Sequence, residues 1–239
     1  MKRWLRRTLH QHGVKLPFTD VVCLEHVKSV AVAADGRTDV TIRRALFFLA
    51  PPLRGDLRDV IPLDADADPG SVSVTSPDSM EVGRLRGTSG LQVYWLPKEP
   101  IVPYALYMHE YAWSSPGWYA EAAVYTELRC ETRTGIMALE ITTSGPIEAG
   151  IAFKRPRWRR MTTERSLVKH ALTASESHLP ATVREDGNRA SWWVVRPQVG
   201  DRYVGVVFGE NGVHQWQKRL EATSLAARMR RFFEPLIPV

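Results

Sequence analysis

Ser191-Trp-Trp-Val-Val-Arg-Pro-Gln-Val-Gly-Asp-Arg-Tyr-Val-Gly-Val-Val-Phe208 is the stretch that decides the fold prediction. Two runs rich in β-branched and aromatic residues flank Pro197 and Gly200, which predicts a strand, a tight turn and a second strand. In this pattern Trp193 and Tyr203 are expected in the core, and the Tyr203 hydroxyl is expected to cap a nearby backbone group. Residues 91–107 contain a looser version of the same pattern.

Several residues recur at a nearly constant spacing in the two halves of the chain. The spacing is 98 to 100 residues for five pairs: Trp95 and Trp193, Tyr104 and Tyr203, Glu110 and Glu210, Gly36 and Gly135, and Ile42 and Ile141. A shared spacing predicts a duplication, with two related β-rich units in tandem. The alternative is two unrelated β stretches whose strands align by chance, since strand spacing is similar in all sandwiches.

The composition supports a folded, strand-rich protein. The chain has 239 residues, 44% of them hydrophobic, with eight Trp, so it can form one large domain or two smaller ones. Its 16 Gly and 16 Pro favour many short strands and turns over a helical bundle. An early example is the hairpin predicted around Asp35-Gly36, between apolar runs at residues 21–32 and 39–49.

The period of the apolar residues changes at both ends of the chain. In residues 1–17, Trp4, Leu5 and Leu9 share one side of a short predicted helix that needs a surface to dock on. Residues 213–239 form the clearest helical pattern, with a stripe made of Val213, Trp216, Leu220, Leu225, Met229 and Phe232. Residues 162–175 have some helical character, through Leu167, Val168, Ala171 and Leu172, and a loop is the alternative.

The predicted fold is therefore mainly β. Two tandem antiparallel β-sandwich, immunoglobulin-like units occupy residues 18–115 and 116–212. A short basic N-terminal helix over 1–17 precedes them, and a C-terminal amphipathic helix over 213–239 follows.

The pattern resembles uncharacterised bacterial tandem immunoglobulin-like β-sandwich modules that accompany regulatory or defence proteins. The residues that carry the resemblance are Ala34-Asp-Gly36 with Val40-Thr-Ile-Arg43, and Trp193-x3-Pro197-x2-Gly200-x2-Tyr203. It covers residues 20–211 and excludes both terminal helices. It implies a binding or accessory role and transfers no catalytic residue.

Positive charge is concentrated in three segments. Residues 1–17 carry +5, residues 154–165 carry +5 and residues 214–239 carry +3, while the whole chain carries +6. The basic segment 154–160 with the C-terminal arginines is the candidate surface for nucleic acid or an anionic surface. The candidate binding residues are Lys154, Arg155, Arg157, Trp158, Arg159, Arg160, Arg228, Arg230 and Arg231.

Motifs for catalysis or cofactor binding do not stand out. The chain has no Gly-x-Ser-x-Gly elbow and no phosphate-binding Gly-rich loop, so no catalytic residue and no cofactor is predicted. No metal is predicted either: His10-x-His12 has no nearby carboxylate, and Asp64-x-Asp66-x-Asp68 lacks the remaining calcium-loop residues. His109 and Glu110 are adjacent in sequence, but neighbouring residues on a strand point to opposite faces, so the two are not expected to share a pocket.

The two cysteines, Cys23 and Cys130, lack Cys-x-x-Cys spacing and are expected to be reduced. A single disulfide between them is the alternative.

Three functional hypotheses follow, and an enzyme is the least favoured. The first is a non-enzymatic binding or interaction module, with a protein partner or a second copy paired through the C-terminal helix. The second is a nucleic-acid or anionic-surface binder, and the third is an enzyme with a site in the cleft between the two units. The N-terminus lacks the apolar run of a signal peptide and no window is apolar enough to span a membrane, so the expected location is the cytoplasm.

Overall fold

The computed structural model describes residues 21–49, 57–61, 72–87, 90–115, 123–155, 164–173, 178–179, 182–183 and 187–233. Within these ranges it contains fourteen strands and two helices. The strands are β1 Val21–Val32, β2 Thr38–Phe48, β3 Leu57–Ile61, β4 Ser73–Thr75, β5 Ser79–Gly87, β6 Gly90–Pro97, β7 Leu106–Ser115, β8 Ala123–Arg129, β9 Thr134–Thr143, β10 Ile147–Lys154, β11 His178–Leu179, β12 Thr182–Val183, β13 Arg189–Val195 and β14 Arg202–Gly209. The helices are α1 Glu164–Thr173 and α2 Gly212–Phe233. The prediction of a mainly β chain with a C-terminal helix is confirmed.

The strands form three sheets. A seven-stranded central sheet has the order β12-β13-β9-β1-β2-β7-β4, a four-stranded sheet has the order β11-β10-β14-β8, and a three-stranded sheet has the order β3-β6-β5. All pairings are antiparallel except β1 with β9, which run parallel from Cys23↔Thr134 to Val32↔Thr143. We call the smaller sheets the four-stranded and three-stranded sheets below.

The predicted hairpin at the start of the described chain is confirmed. β1 and β2 pair antiparallel, and Gly36 adopts a φ of 81° in the turn between them, a conformation that glycine adopts without strain. A bulge lies at Leu24 in β1, opposite Gly135 of β9. A Cβ at Gly135 would lie 2.7 Å from the Leu24 carbonyl oxygen, so the glycine permits this close approach of two backbones.

One face of the central sheet is covered by both smaller sheets side by side. Over β2 and β7, residues such as Ile42 and Tyr111 pack against the three-stranded sheet through Trp95 and its neighbours. Over β9 and β13, residues such as Leu139 and Trp192 pack against the four-stranded sheet. Val32 at the end of β1 contacts both cores, so β1 lies beneath the seam between the two smaller sheets.

The two helices pack on the outer side of the four-stranded sheet. Val168 and Ala171 of α1 and Trp216 of α2 form a buried cluster with Phe153 of β10 and Phe208 of β14. The chain thus has three layers in this region: central sheet, four-stranded sheet, helices. The helical pattern at 162–175 and the first turns of the predicted C-terminal helix are confirmed by this packing. The residues of the predicted N-terminal helix lie outside the described part of the chain.

Two details of the predicted strand-turn-strand units are wrong. β13 and β14 do not pair as a hairpin, because β13 lies in the central sheet and β14 lies in the four-stranded sheet. β6 and β7 are separated in the same way, between the three-stranded and central sheets. Each connection therefore crosses from one sheet to another. A hairpin and such a crossing both show an apolar run on either side of a turn, so the sequence pattern cannot distinguish them.

The expected position of Trp193 is also corrected. Its side chain is 52% exposed, whereas that of Trp192 is 1% exposed, because successive strand residues point to opposite faces. Tyr203 is buried as predicted, but its hydroxyl donates to the Asp201 carboxylate at 3.3 Å rather than to a backbone group.

The structure does not confirm the tandem repeat. Trp95 is buried where Trp193 is exposed, and Tyr104 is exposed where Tyr203 is buried, so these pairs do not occupy equivalent positions. The central sheet also takes strands from both predicted units, through the parallel pairing of β1 with β9. The unit boundaries at 18–115 and 116–212 and the immunoglobulin-like assignment stay predictions.

Candidate functional site

The predicted basic segment is only partly described, and its described residues form internal ion pairs. The Lys154 ammonium lies 2.6 Å from the buried carboxylate of Asp201. The Arg155 guanidinium lies 2.6 Å from Glu127, whose other carboxylate oxygen accepts a hydrogen bond from Arg202 at 3.1 Å. Lys154 and Arg155 thus neutralise Asp201, which directly precedes β14, and Glu127 of β8.

The other predicted binding residues are not described at the level of side chains. Arg157, Trp158, Arg159 and Arg160 lie outside the described residues. The remaining three lie on the last turns of α2, where the structure describes only the backbone: Arg228, Arg230 and Arg231. The hypothesis of an anion-binding surface therefore stays a prediction.

A buried lysine lies beneath the seam between the smaller sheets. Lys28 of β1 is 9% exposed, and its ammonium donates to the backbone carbonyl of Glu127 at 3.1 Å. Glu127 belongs to β8, the edge strand of the four-stranded sheet, so Lys28 satisfies a carbonyl at that edge. Burial lowers the pKa of Lys28 to about 8, and the nearby charge of Glu127 offsets part of this effect. The ammonium also lies 6.0 Å from the centre of the Trp113 ring.

A second polar network joins the loop before β5 to β7. His109 is buried, and its Nδ1 lies 3.6 Å from the Asp78 carboxylate. Asp78 also accepts a hydrogen bond from the backbone N–H of Glu110 at 2.9 Å, and Ser79 and Tyr107 hydroxyls lie 3.1 Å apart. His109 and Glu110 point to opposite faces of the central sheet, as predicted. These contacts anchor the loop to the sheet.

The cysteines are free thiols that lie close to one hydroxyl group. Cys130 Sγ lies 3.7 Å from Thr134 Oγ1, and Thr134 is the β9 neighbour of Cys23. Burial raises the pKa of Cys23 to about 11 and also raises that of Cys130, so both thiols stay protonated and unreactive near neutral pH.

In the described part of the chain no group of three or more His, Cys, Asp or Glu residues is arranged to hold a metal ion. His10 and Asp64 and their motif partners lie outside it.

The second face of the central sheet carries a group of exposed apolar side chains. We call this surface the open face: the side of β13, β9, β1, β2 and β7 that points away from the smaller sheets. None of the four clusters of buried apolar side chains in the described ranges includes a residue from it. Five large apolar side chains on it are exposed: Leu106, Met108, Ile136, Trp193 and Val195.

The register and the pattern of exposure indicate a shallow groove between β13 and β7, with the exposed side chains of Ile136 and Arg43 inside it. The register places Val27, Ala45 and Ala138 between the two outer strands, and all three are buried because their taller neighbours stand on either side. Trp193 and Val195 of β13, which are 52% and 70% exposed, form one wall, and Leu106 and Met108 of β7 form the other. Five strands at about 4.8 Å spacing separate the walls by roughly 19 Å, which is wide enough for an α-helix.

The charges on the open face are mainly negative. Its acids are Asp39, Glu25, Glu110 and Glu140, and its bases are Arg43 and Arg189, so its net charge is −2. Arg43 lies 3.6 Å from Glu25, and Arg189 lies 2.8 Å from Glu140. An apolar groove with acidic surroundings suits a ligand that is apolar on one side and basic on the other.

Sequence reasoning missed the open face and Lys28. One available signal was the run Trp192-Trp193-Val194-Val195, which is apolar without alternation and so presents apolar side chains on both faces of its strand. Lys28 gave no signal, because a lysine between Val27 and Ser29 on a strand is expected to be exposed unless a second sheet covers it.

Comparison with known proteins identifies the fold only in part. The structure resembles a protease candidate from Parabacteroides distasonis, with a TM-score of 0.50 and 11% sequence identity, over 80% of this chain and 41% of that one. It also aligns with a candidate nutrient-binding protein from Legionella pneumophila at a TM-score of 0.44 and 10% identity, over 83% of this chain and 70% of that one. A third match is an M1 zinc metallopeptidase from Deinococcus radiodurans, with a TM-score of 0.41 and 8% identity, over 80% of this chain and 43% of that one.

The first of these similarities shows a shared β-rich fold and assigns no activity. The chain spans less than half of the length of that structure. No family model and no curated protein matches the sequence. Neither helix of the described chain is long and apolar enough to cross a membrane.

Proposed function

We propose that this protein is a non-enzymatic interaction module that binds a basic amphipathic helix in the groove of the open face. The observation that carries the proposal is the exposure of Trp193, Val195, Ile136, Leu106 and Met108 on one face of a single sheet. Large contiguous patches of exposed apolar side chains are rare on monomeric soluble proteins, and where they occur they mark interaction sites.

The shape and charge of the surface support a helix as the ligand. The buried floor of Val27, Ala45 and Ala138 leaves room between the walls for one helix about 10 Å in diameter. Apolar residues spaced three and four apart on such a helix would cover the walls, as in other helix-in-groove complexes. Basic residues on its flanks would lie near Glu25, Glu110 and Glu140.

A defined peptide tests this proposal. The probe is a labelled 17-residue model helix with leucine on one side and lysine on the other, and its control is a scrambled peptide of the same composition. Binding is measured by fluorescence anisotropy.

We expect saturable binding of the model helix, with an affinity that falls as salt is added. Trp193→Ser with Val195→Ser should weaken it at least tenfold, because the two residues form one wall of the groove. The matched control is Val82→Ser with Leu85→Ser, which removes two equally exposed apolar side chains from β5 in the three-stranded sheet. Equal binding of the scrambled peptide, equal loss in the control variant or no saturable binding would refute the proposal.

A further inference from the structure

Two acids of the open face already have a base of the same face beside them. The Glu140 carboxylate lies 2.8 Å from the Arg189 guanidinium. The Glu25 carboxylate lies 3.6 Å from the Arg43 guanidinium. Both pairs are neutral, so the net charge of −2 comes from the two acids that remain.

The two remaining acids have different surroundings. Asp39 accepts a hydrogen bond from the Ser114 hydroxyl at 2.5 Å and lies 3.7 Å from the Arg37 guanidinium. Glu110 is partly buried on β7, and within the described ranges no base forms an ion pair with its carboxylate. Its register partner is Arg43, whose guanidinium belongs to a pair already described. The charge of Glu110 is therefore not compensated by the described residues.

Glu110 lies on one wall of the groove, directly after the apolar part of that wall. On the open face β7 presents Leu106, Met108 and Glu110 in succession, at a spacing of about 6.8 Å. The register places Val195 and Trp193 on the opposite wall, in the rows of Met108 and Glu110. A ligand in the groove thus meets an uncompensated negative charge at one wall and apolar side chains at the other.

A ligand that covers Glu110 without bringing a cation would bind poorly. It would take water from a carboxylate that is already partly buried and supply no base in its place. A lysine or arginine of the ligand beside Glu110 removes this cost and adds a charge-assisted hydrogen bond. Helix residues four positions apart lie about 6 Å apart along the axis, which is close to the spacing of Met108 and Glu110.

We infer that Glu110 is a specificity-determining residue of the open face, and that the bound helix has a basic residue beside it, four positions from an apolar residue that contacts Met108. The inference rests on the proposed function, because it requires a helix in the groove. It narrows the ligand to a helix whose positive charge borders its apolar stripe. A helix with the same charge on its back is a poor ligand.

Two peptides of identical composition test the inference. Each is a labelled 17-residue helix with leucine on one side, glutamine elsewhere and two lysines. In the flank peptide the lysines border the leucine stripe on one flank, each four positions from a leucine. In the back peptide they lie opposite the stripe. Binding to the full-length protein is measured by fluorescence anisotropy at low salt.

We expect the flank peptide to bind the wild type about tenfold more tightly than the back peptide, because only its lysines reach Glu110. Glu110→Gln should remove most of this preference, and Glu110→Lys should reverse it. The matched control is Glu221→Lys, which makes the same change of charge at an exposed position of α2. It lies in the helical layer beyond the four-stranded sheet and should leave the preference in place.

Three outcomes would overturn the inference and leave the proposed function standing. They are equal binding of the two peptides to the wild type, a preference that Glu110→Lys does not change, and an equal loss of preference in Glu221→Lys. If neither peptide nor the model helix described above binds saturably, both the inference and the proposed function are overturned.

Discussion

The two faces of the central sheet are built by the same five strands but meet different surroundings. On the covered face, Ile42, Tyr111 and Trp192 are enclosed by the two smaller sheets. On the open face, the residues next to them in sequence include Arg43, Glu110 and Trp193, which remain outside every described core cluster. The comparison shows that a large apolar side chain in this sheet is enclosed by other sheets on one face and exposed on the other.

Among these predictions, cutting the chain at the predicted boundary between residues 115 and 116 should have the largest effect on stability. Because β1 pairs with β9 along nine residue pairs, we expect neither residues 18–115 nor residues 116–212 to fold alone. In each piece, the strands of the central sheet near the seam would lose contacts with the smaller sheet that belongs to the other piece. Circular dichroism melts and amide chemical-shift dispersion measure this, and cooperative unfolding of either piece would support two independent units.

The adjacent tryptophans give the most direct comparison of the two faces. We expect Trp192→Ala to lower the free energy of unfolding by about 3–5 kcal/mol, because it opens a cavity beneath the four-stranded sheet. Trp193→Ala should change it by less than about 1 kcal/mol, because its side chain is half exposed. Denaturant titration measures both, and similar losses would mean that the open face is part of a core.

Lys28→Met tests the charge beneath the seam through its pH dependence. The folded pKa of about 8 lies below the ordinary 10.5, so between these values the unfolded chain binds more protons and stability rises with pH. The variant lacks this gain. The free energy of unfolding of the wild type should therefore increase relative to that of the variant by roughly 2–3 kcal/mol from pH 7 to pH 10.

This difference cancels the other groups that titrate in the same range. The raised pKa values of Cys23 and Tyr203 lower stability at alkaline pH in both proteins alike. A constant difference between wild type and Lys28→Met across the range would show that Lys28 is not desolvated.

Gly205 tests how tightly the covered face is packed, with the smallest expected effect. A Cβ at Gly205 in β14 would lie 2.9 Å from the Trp192 ring, so Gly205→Ala should cost about 1–3 kcal/mol by displacing it. Gly209→Ala in the same strand is the control, because a Cβ at Gly209 would have no neighbour within 4 Å among the described residues. Denaturant titration of both variants should give a loss only at Gly205.

Much of the secondary structure was predictable, because local patterns determine it. The turn at Asp35-Gly36 and the alternation on either side of it defined β1 and β2, and the stripe through Val213 and Trp216 defined the start of α2. The pairing of strands was not predictable in the same way. The runs before and after Pro197 and Gly200 look like a hairpin, although they belong to different sheets.

The candidate site was harder to predict than the strands. Sequence reasoning favoured the basic segment around Arg155 as a binding surface, because charge can be seen directly in a sequence. In the structure, Lys154 and Arg155 form ion pairs with Asp201 and Glu127. It placed Trp193 in the core, because a tryptophan in an apolar run gives no indication of which face it occupies. The open face depends on which side the smaller sheets cover.

The sequence by itself determined the β-rich class, most strand positions, the β1–β2 turn and the helical start of α2, since each follows from residues close together in the chain. Only the tertiary structure decided that β1 pairs with β9, that Lys28 lies beneath a seam and that Trp192 is enclosed while Trp193 is exposed. These outcomes depend on contacts between residues about a hundred positions apart, such as Lys28 with Glu127. Local periodicity carries no information about such contacts.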